Sequence, residues 1–334
     1  MTDPTPSPSA TPVDAAAITR RITTLSVAVA VALIAIKAFA LGASGSVSIL
    51  ASLTDSALDL AASLATFFAV RWAAAPPDDE HRYGHGKGEA MAALVQAGLI
   101  FASALFIGWE AIQRIFDPRP VAAGGWAVAV ILVSILLTGA LVWLQGRALK
   151  ETGSLAVAGD RSHYAADLAA SVVVLIGVIS GAWLRAPGLD AAAGLVVAVW
   201  LFWGAFALLK TAADHLLDRS ASEADRTAIT TAVLTDPRIS GVHALRTRMA
   251  GSVMMIQMHV DMDPALTLAA AHDIVAEAEA RIQAAIPGAD VLIHPDPRGL
   301  HAPVPADTTA VPASTKPSPK PSADTSSVTR GPWS

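Results

Sequence analysis

Long apolar segments alternate with short polar ones over the first two thirds of the chain. Six of these segments reach the roughly 20 residues that a helix needs to cross a bilayer. They lie at about 22–41, 47–70, 90–112, 126–144, 168–183 and 191–209. The fifth extends back toward Leu155, through a stretch in which Asp160, Arg161 and His163 interrupt the hydropathy. The pattern predicts a membrane protein with an all-α bundle of six transmembrane helices.

The pattern changes after Lys210, where a less apolar region with two different periodicities begins. It predicts a helix at 222–234, strands at 243–248 and 253–261, an amphipathic helix at 267–286 and a strand at 289–294. A Gly251-Ser252 turn joins the first two strands, and Pro287-Gly288 ends the second helix. The order α-β-β-α-β predicts a small α+β domain outside the membrane.

Both ends of the chain are rich in Pro, Ser, Thr and Ala and offer little that could pack. We expect disordered tails at 1–17 and 299–334, a transmembrane domain at 18–210 and a cytoplasmic domain at 211–298. The first tail lacks the charged and apolar regions of a cleaved signal, so the first span is expected to direct insertion.

Composition supports the membrane class and limits the possible partners. The 334 residues are 53% hydrophobic and 15% charged, with a mean hydropathy of +0.51. The net charge of −5 argues against a nucleic-acid partner. There is no cysteine, so any metal site must use His, Asp, Glu or backbone oxygen.

The basic residues favour one side of the membrane and predict that both termini lie in the cytoplasm. Three arginines, Arg114, Arg119 and Arg185, flank the spans on the other side. Nine basic residues flank them on the cytoplasmic side: Arg20, Arg21, Arg71, Arg82, Lys87, Arg147, Lys150, Arg161 and Lys210. We expect Lys37, near the outer end of the first span, to snorkel toward the interface.

Two pairs of polar residues lie inside the apolar spans. Asp55 and Asp59 are four residues apart in the second span, and His163 and Asp167 are four apart in the fifth. This spacing places each pair on one helix face. Ionisable groups at membrane depth are costly and usually face a bundle interior or an ion path. Three carboxylates and one imidazole suit a tetrahedral divalent ion, zinc first, whereas unrelated caps or buried hydrogen bonds are the alternative.

The motif DxxxD, followed about a hundred residues later by HxxxD, resembles the cation diffusion facilitator family of metal/proton antiporters. The resemblance extends from Ile22 to Pro297 and is closest to the bacterial zinc-exporting, iron-efflux-like branch. Further stretches carry it: SVSILASLTDS, PPDDEHRYGHGKGE, HYAADL, LLDR and IHPDP.

The resemblance implies a homodimer in the inner membrane that exports a divalent metal, most simply Zn²⁺, in exchange for protons. The metal would bind Asp55, Asp59, His163 and Asp167 and cross by alternating access. Protons would compete for the same ligands, with His163 as the expected carrier because imidazole titrates near neutral pH.

The loop between the second and third spans holds Asp78, His81 and His85 among Pro and Gly residues. Two imidazoles and a carboxylate suffice for an exposed zinc site with a water, although a solvated polar loop is the alternative. The family places a lower-affinity metal site here. It also implies that Lys87 pairs with Asp218 of LLDR as an interlock across the dimer.

The resemblance maps a group of cytoplasmic-domain residues onto a two-metal site in which Asp296 bridges: His243, His259, His272, His294 and Asp296. Zn²⁺ would then also have a structural role, because folding of the domain and dimerisation would both depend on metal binding. Any one of these histidines could instead be simply hydrogen-bonded. Pro295 stands where close relatives carry a polar residue, which leaves the geometry of this site open.

Several alternatives stay open from the sequence. The same ligands would accept Fe²⁺, Cd²⁺, Co²⁺ or Mn²⁺. A membrane metalloenzyme also places carboxylates and histidines in helices, but the chain has no HExxH motif, and we expect a transporter and no enzyme. A membrane metal sensor would use the cytoplasmic histidines without needing Asp55 and Asp59 at membrane depth.

Overall fold

The computed structural model describes residues 12–45, 47–116, 125–179 and 189–299. Six of its helices are long and apolar enough to cross a membrane. They are α1 Pro12–Ser44, α2 Val47–Ala73, α3 Gly88–Phe116, α4 Gly125–Thr152, α5 Leu155–Ile179 and α6 Leu189–Leu216. The six-helix transmembrane bundle predicted from the apolar segments is thereby confirmed.

The helices differ from the predicted spans mainly at their ends. α1 begins at Pro12, so residues 12–17 are helical and not part of a disordered tail. An alanine run and Asp14 in the first turn explain this, because alanine favours helix and an acid favours the N-terminal end of the helix dipole. The disorder predicted for residues 1–11 and 300–334 falls outside the described residues.

α5 is the central helix of the bundle. It contacts α2, α3, α4 and α6, and it is continuous from Leu155 through the polar stretch that broke its hydropathy. Its backbone hydrogen bonds are satisfied within the helix, so only its polar side chains need partners inside the bundle. Polar groups can therefore be placed at membrane depth on a regular helix.

The helices pack through small residues and turn large apolar ones outward. α3 and α6 meet through alanines, including Ala93, Ala97 and Ala205, which let the two backbones approach closely. In contrast, Phe106, Leu136 and Val196 are about 70% exposed. A belt of exposed apolar side chains around helices of this length is what a lipid-facing surface requires.

The region after α6 forms the predicted α-β-β-α-β domain. Its elements are α7 Glu223–Leu234, β1 Gly241–Ala250, β2 Val253–Met262, α8 Leu268–Ala285 and β3 Asp290–Pro297. Ser222 and Thr267 cap the two helices by accepting a backbone N–H three residues on. β1 and β2 are antiparallel, and β3 joins β2 in parallel after the α8 crossover.

The two faces of this sheet have different roles. Ile256, Met258 and Val260 of β2 are buried against Ile274 and Ile282 of α8. Strand residues alternate between faces, so His259 and Asp261 point to the face opposite α8. The core therefore occupies one face, and polar side chains are collected on the other.

The β1–β2 turn contacts the loop between α2 and α3. A Cβ added at Gly86 would lie 2.4 Å from the carbonyl oxygen of Ala250, and one at Gly251 would lie 3.1 Å from the Cα of Gly86. Gly251 also has a φ of +64°, which glycine adopts without strain. Two glycines thus allow the loop and the cytoplasmic domain to meet backbone to backbone.

Replacing Gly86 with alanine should destabilise this contact, because the added methyl has no space beside Ala250. Overpacking of this kind costs about 1–3 kcal/mol. We expect a lower midpoint of thermal unfolding in detergent and faster tryptic cleavage after Arg82 in the loop. Gly42→Ala is the matched control, since a Cβ there meets nothing within 4 Å. Equal midpoints and cleavage rates for both variants would contradict the close approach.

Candidate metal sites

α2 and α5 bring three of the four predicted transmembrane ligands together. The Nε2 atom of His163 lies 3.3 Å from an oxygen of Asp59 and 3.7 Å from an oxygen of Asp167. One ligand atom from each of the three residues lies within 4.8 Å of the other two. Asp59 and His163 are buried, and Asp167 is half-buried. The three side chains can therefore reach one small ion.

Asp55 lies outside this group. It is one helical turn from Asp59 on α2 and is exposed. The i, i+4 spacing places both carboxylates on neighbouring positions of one face, but the packing against α5 covers only Asp59. The predicted set of four is therefore present as three convergent ligands and one adjacent carboxylate.

The convergent ligands carry polar atoms that have no hydrogen bond among the described residues. Both ring nitrogens of His163 and one oxygen of Asp167 are buried without a hydrogen bond, although Nε2 lies within ion-pair distance of Asp59 and of that Asp167 oxygen. A buried polar atom without a partner is costly, and most native proteins avoid it. Imidazole nitrogen and carboxylate oxygen are the donors that zinc and similar divalent ions accept, so an ion would supply the missing partner.

The loop between α2 and α3 brings Asp78, His81 and His85 together. His81 Nδ1 lies 3.3 Å and His85 Nε2 lies 3.2 Å from the two oxygens of Asp78. The backbone N–H groups of His81 and Glu80 donate to Asp78 and hold the pKa of its carboxyl below its usual range. His85 is buried beside the Trp72 ring, whereas Asp78 and His81 are exposed. This cluster faces solvent on one side.

The cytoplasmic sheet aligns three histidines in a row. His243 on β1 pairs with His259 on β2, which pairs with His294 on β3. Asp296 lies among the three imidazoles. Its oxygens are 2.8 Å from His259 Nδ1, 3.2 Å from His243 Nε2 and 3.3 Å from His294 Nε2. One ligand atom from each of His243, His259 and Asp296 lies within 4.8 Å of the other two.

Two details of this cytoplasmic cluster depart from the predicted set. His272 is exposed on α8, the helix that covers the opposite face of the sheet, so one chain does not bring it to Asp296. Asp261, which the prediction omitted, lies 3.7 Å from His243. Pro295 does not interrupt β3, because β3 is an edge strand of the three-stranded sheet, where proline is tolerated.

Asp296 remains a carboxylate in this surrounding. Partial burial works to raise its pKa, but the hydrogen bond with His259 and the neighbouring imidazoles outweigh burial and hold the pKa below its usual range. A charged carboxylate amid three imidazoles offers the oxygen and nitrogen ligands that zinc accepts.

Comparison with known proteins identifies the family. The family description "Cation efflux transmembrane domain" matches residues 23–217, and "Cation efflux protein, cytoplasmic domain" matches residues 221–298. The chain belongs to the cation efflux family. The resemblance to the cation diffusion facilitators is thereby confirmed, and the two matched regions coincide with the bundle and the α+β domain.

Curated relatives in this family match over most of their length. The Cation-efflux pump FieF of Shewanella oneidensis is 43% identical over 274 residues, covering 81% of this chain and 92% of that protein. The Cation-efflux pump FieF of Klebsiella pneumoniae is 40% identical over 275 residues, covering 82% of this chain and 91% of that protein. The one from Salmonella arizonae is 39% identical over 272 residues, covering 81% and 90%. These names describe transporters, in line with the expectation of no enzyme.

In this cation efflux protein, the residues predicted as an interlock form an ion pair within one chain. Lys87 Nζ lies 2.9 Å from an oxygen of Asp218 and donates to the backbone carbonyl of Leu216 at 3.3 Å. Arg248 lies 3.5 Å from the other Asp218 oxygen and stacks over Tyr83. The predicted interlock across the dimer stays a prediction, because this contact lies within a single chain. It connects α3 to the start of the cytoplasmic domain.

Sequence reasoning missed a buried polar network beside the transmembrane cluster. Asp160 accepts from Gln145 Nε2 at 2.8 Å and from Ser63 Oγ at 3.4 Å. Ser63 also bonds Tyr164 at 2.7 Å, and Gln145 donates to Ser26 at 3.1 Å. The network connects α1, α2, α4 and α5. Asp160 precedes His163 by three residues, which places both side chains on one face of α5. This spacing in the sequence could have predicted that Asp160 lies beside the cluster.

Lys87→Ala and Asp218→Asn should each weaken the contact between bundle and cytoplasmic domain, and the double variant should be little worse than either. Asn is chosen because Asp218 has a φ of +57°, which Asn tolerates better than Ala. Each loss should be modest, about 0.2–1 kcal/mol, because both side chains are partly exposed. The double-mutant cycle is measured by thermal unfolding of the wild type, the two single variants and the double variant. Additive losses of stability would refute the pairing.

The same pair predicts a pH dependence. The Lys87 hydrogen bond holds the pKa of Asp218 below its usual range. A carboxyl with a depressed pKa stabilises the folded state above its ordinary pKa of about 4 and loses this contribution as the pH falls. The difference in stability between wild type and Lys87→Ala should therefore shrink below about pH 4.

Proposed function

We propose that this chain exports divalent metal ions across the inner membrane in exchange for protons, with both termini in the cytoplasm. The observation that carries this proposal is the buried imidazole of His163, whose Nε2 faces Asp59 and Asp167 within ion-pair distance and whose Nδ1 has no hydrogen bond among the described residues. An unsatisfied N/O donor set inside a membrane-spanning bundle has little structural value and suits a transported ion. The FieF relatives are named as cation-efflux pumps.

The ion would bind Asp59, His163 and Asp167, and Asp55 would complete the shell as α2 and α5 move during transport. Asp55 is one turn from Asp59 on the same helix, so a modest movement of α2 relative to α5 would change its distance from the other ligands. Zn²⁺ is the proposed cargo because one imidazole and three carboxylates match its preferred donors and number. Fe²⁺, Cd²⁺, Co²⁺ and Mn²⁺ remain the rival cargoes.

Competition at the same atoms would couple metal to protons. A metal ion needs a neutral imidazole and deprotonated carboxylates, so binding releases protons and protonation releases metal. In the metal-free site a proton on His163 Nε2 would form ion pairs with Asp59 and Asp167, which are 3.3 and 3.7 Å away. Proton and metal would therefore satisfy the same carboxylates in turn.

The other two clusters would have supporting roles. The loop cluster lies next to the Gly86–Gly251 contact, and the cytoplasmic cluster lies on the open face of the sheet. We propose that Zn²⁺ at the cytoplasmic cluster stabilises that domain and its role in a homodimer. An ion crossing the membrane need not pass through it.

The direct test is metal uptake into proteoliposomes driven by an imposed pH gradient, with each divalent metal supplied in turn. The proposal predicts uptake that collapses when a protonophore removes the gradient, with Zn²⁺ giving the largest ratio of maximum rate to KM. Metal uptake at the same rate with and without the pH gradient would exclude proton exchange. A faster, gradient-dependent flux of Fe²⁺ or Mn²⁺ would replace zinc as the cargo.

Asp167→Ala should reduce metal flux by at least about a hundredfold, because even outer-shell partners of metal ligands are worth about 10–100-fold. The protein should still insert and fold. Glu110→Gln is the matched control, since Glu110 is a carboxylate of the same bundle that pairs with Arg114 on α3, away from this cluster. Near-normal flux in Asp167→Ala would remove it from the transport site.

His163→Ala and His259→Ala should distinguish the residue that couples transport to protons from one that stabilises the cytoplasmic domain. His163→Ala should flatten the dependence of residual flux on pH, because it removes the side chain proposed to carry the proton. His259→Ala should keep the wild-type pH dependence while weakening the stabilisation of the protein by added Zn²⁺. Flux is measured against internal and external pH, and stability by thermal unfolding with and without Zn²⁺. The assignment fails if His163→Ala retains the wild-type profile.

A further inference from the structure

Lys37 is a buried cation in the outer half of α1. Only 7% of the residue is exposed, so it does not snorkel to the interface as its position in the span suggested. Its Nζ donates to Ser56 Oγ at 2.5 Å and to the backbone carbonyl of Ser52 at 3.1 Å. The side chain therefore reaches sideways to α2, the helix that carries Asp55 and Asp59.

The two hydrogen-bond acceptors of Lys37 are neutral. Among the described residues Lys37 has no carboxylate within ion-pair distance. Its acceptor Ser56 is the neighbour of Asp55 in the sequence and precedes Asp59 by three residues on α2, so the ammonium is held beside the helix turn that carries both carboxylates. A lysine ammonium at membrane depth is costly unless opposite charge lies near. The negative charge nearest to Lys37 along α2 is thus that of Asp55 and Asp59, two of the carboxylates proposed to bind the metal.

Lys37 also has a defined side relative to that site. Ser52 and Ser56 precede Asp59 on α2, and Lys37 lies seven residues before the end of α1 at Ser44. α1 ends and α2 begins on the side of the bundle away from the cytoplasmic domain. Lys37 therefore lies between the convergent ligands and the outer side of the membrane.

We propose that Lys37 is a tethered cation that sets the metal affinity of the transport site and promotes release of the ion. A metal at Asp59, His163 and Asp167 brings a second positive charge close to the ammonium, which weakens metal binding. When the metal leaves, Lys37 remains to balance the carboxylates. Repulsion between the ammonium and the metal ion across a partly polar interior corresponds to a change in metal affinity of about tenfold or more.

This inference rests on the proposed transport site and adds a residue that does not itself bind the ion. Its rival is a purely structural role, in which Lys37 fastens α1 to α2 through the two hydrogen bonds. The two accounts differ in whether the charge or the hydrogen bonding matters, so variants that separate these properties decide between them.

The experiment measures Zn²⁺ flux against Zn²⁺ concentration in proteoliposomes, which yields KM and maximum rate separately. Lys37→Gln keeps an amide donor for Ser52 and Ser56 but removes the charge. We expect its KM to fall about tenfold and its maximum rate to fall as well, because a more tightly held ion leaves more slowly. Lys37→Arg keeps the charge and should retain a KM close to wild type.

Two further variants serve as controls. Lys150→Gln makes the same exchange at an exposed lysine at the end of α4 and should leave both parameters unchanged. Ser56→Ala removes an acceptor and leaves the charge, so the tethered-cation account predicts a near-normal KM, whereas the structural account predicts the behaviour of Lys37→Gln. Ser56→Ala decides the matter even if Lys37→Gln does not fold.

An unchanged KM in Lys37→Gln would overturn the inference, as would Lys37→Arg behaving like Lys37→Gln or Ser56→Ala lowering KM about tenfold. Asp59→Asn, measured alongside, separates this failure from failure of the transport site. If Asp59→Asn abolishes flux and Lys37→Gln retains the wild-type KM, only the role of Lys37 is refuted. If Asp59→Asn transports normally, the site itself is refuted.

Discussion

Charge balance around His163 constrains the architecture of the bundle. Two carboxylates approach one imidazole from α2 and α5, two helices long and apolar enough to cross a membrane, where burial of charge is costly. Such a group of ionisable side chains is tolerated only if protons, a metal ion or built-in cations satisfy it. The same requirement makes it useful for the proposed function, because each way of satisfying it would correspond to a different state of a metal/proton exchanger.

The surrounding structure provides rigid support on one side and a fixed charge on the other. The Asp160 network ties α1, α2, α4 and α5 together through short polar side chains one turn from His163. Lys37 brings a positive charge to α2 from the opposite direction. Outside the membrane, the Lys87–Asp218 pair and the Gly86–Gly251 contact join the bundle to the cytoplasmic domain. The bundle that holds the membrane cluster is thus joined to the cytoplasmic domain, close to the loop that holds a second candidate cluster.

Much of this arrangement is predictable from the sequence, and the reasons are physical. Segment length and hydropathy determine the six spans, and alternation with turn residues determines the three strands. Spacing places Asp55 and Asp59 on one helix face, but it does not tell which of them α5 will cover. The alignment of His243, His259 and His294 depends on strand register, which three separate sequence segments establish only after they pair. The prediction that Lys37 snorkels to the interface was wrong, because hydropathy indicates how deep a residue lies in a span but not where its side chain points.

Counting the protons released when Zn²⁺ binds tests the central claim most directly. Purified protein with Asp78→Ala and His259→Ala, which impair the loop and cytoplasmic clusters, is titrated with Zn²⁺ in weakly buffered solution. The account predicts proton release that saturates with one high-affinity ion and disappears when Asp59→Asn is added to this background. Unchanged binding and proton release after Asp59→Asn would contradict it, because the exchange would then take place at other residues.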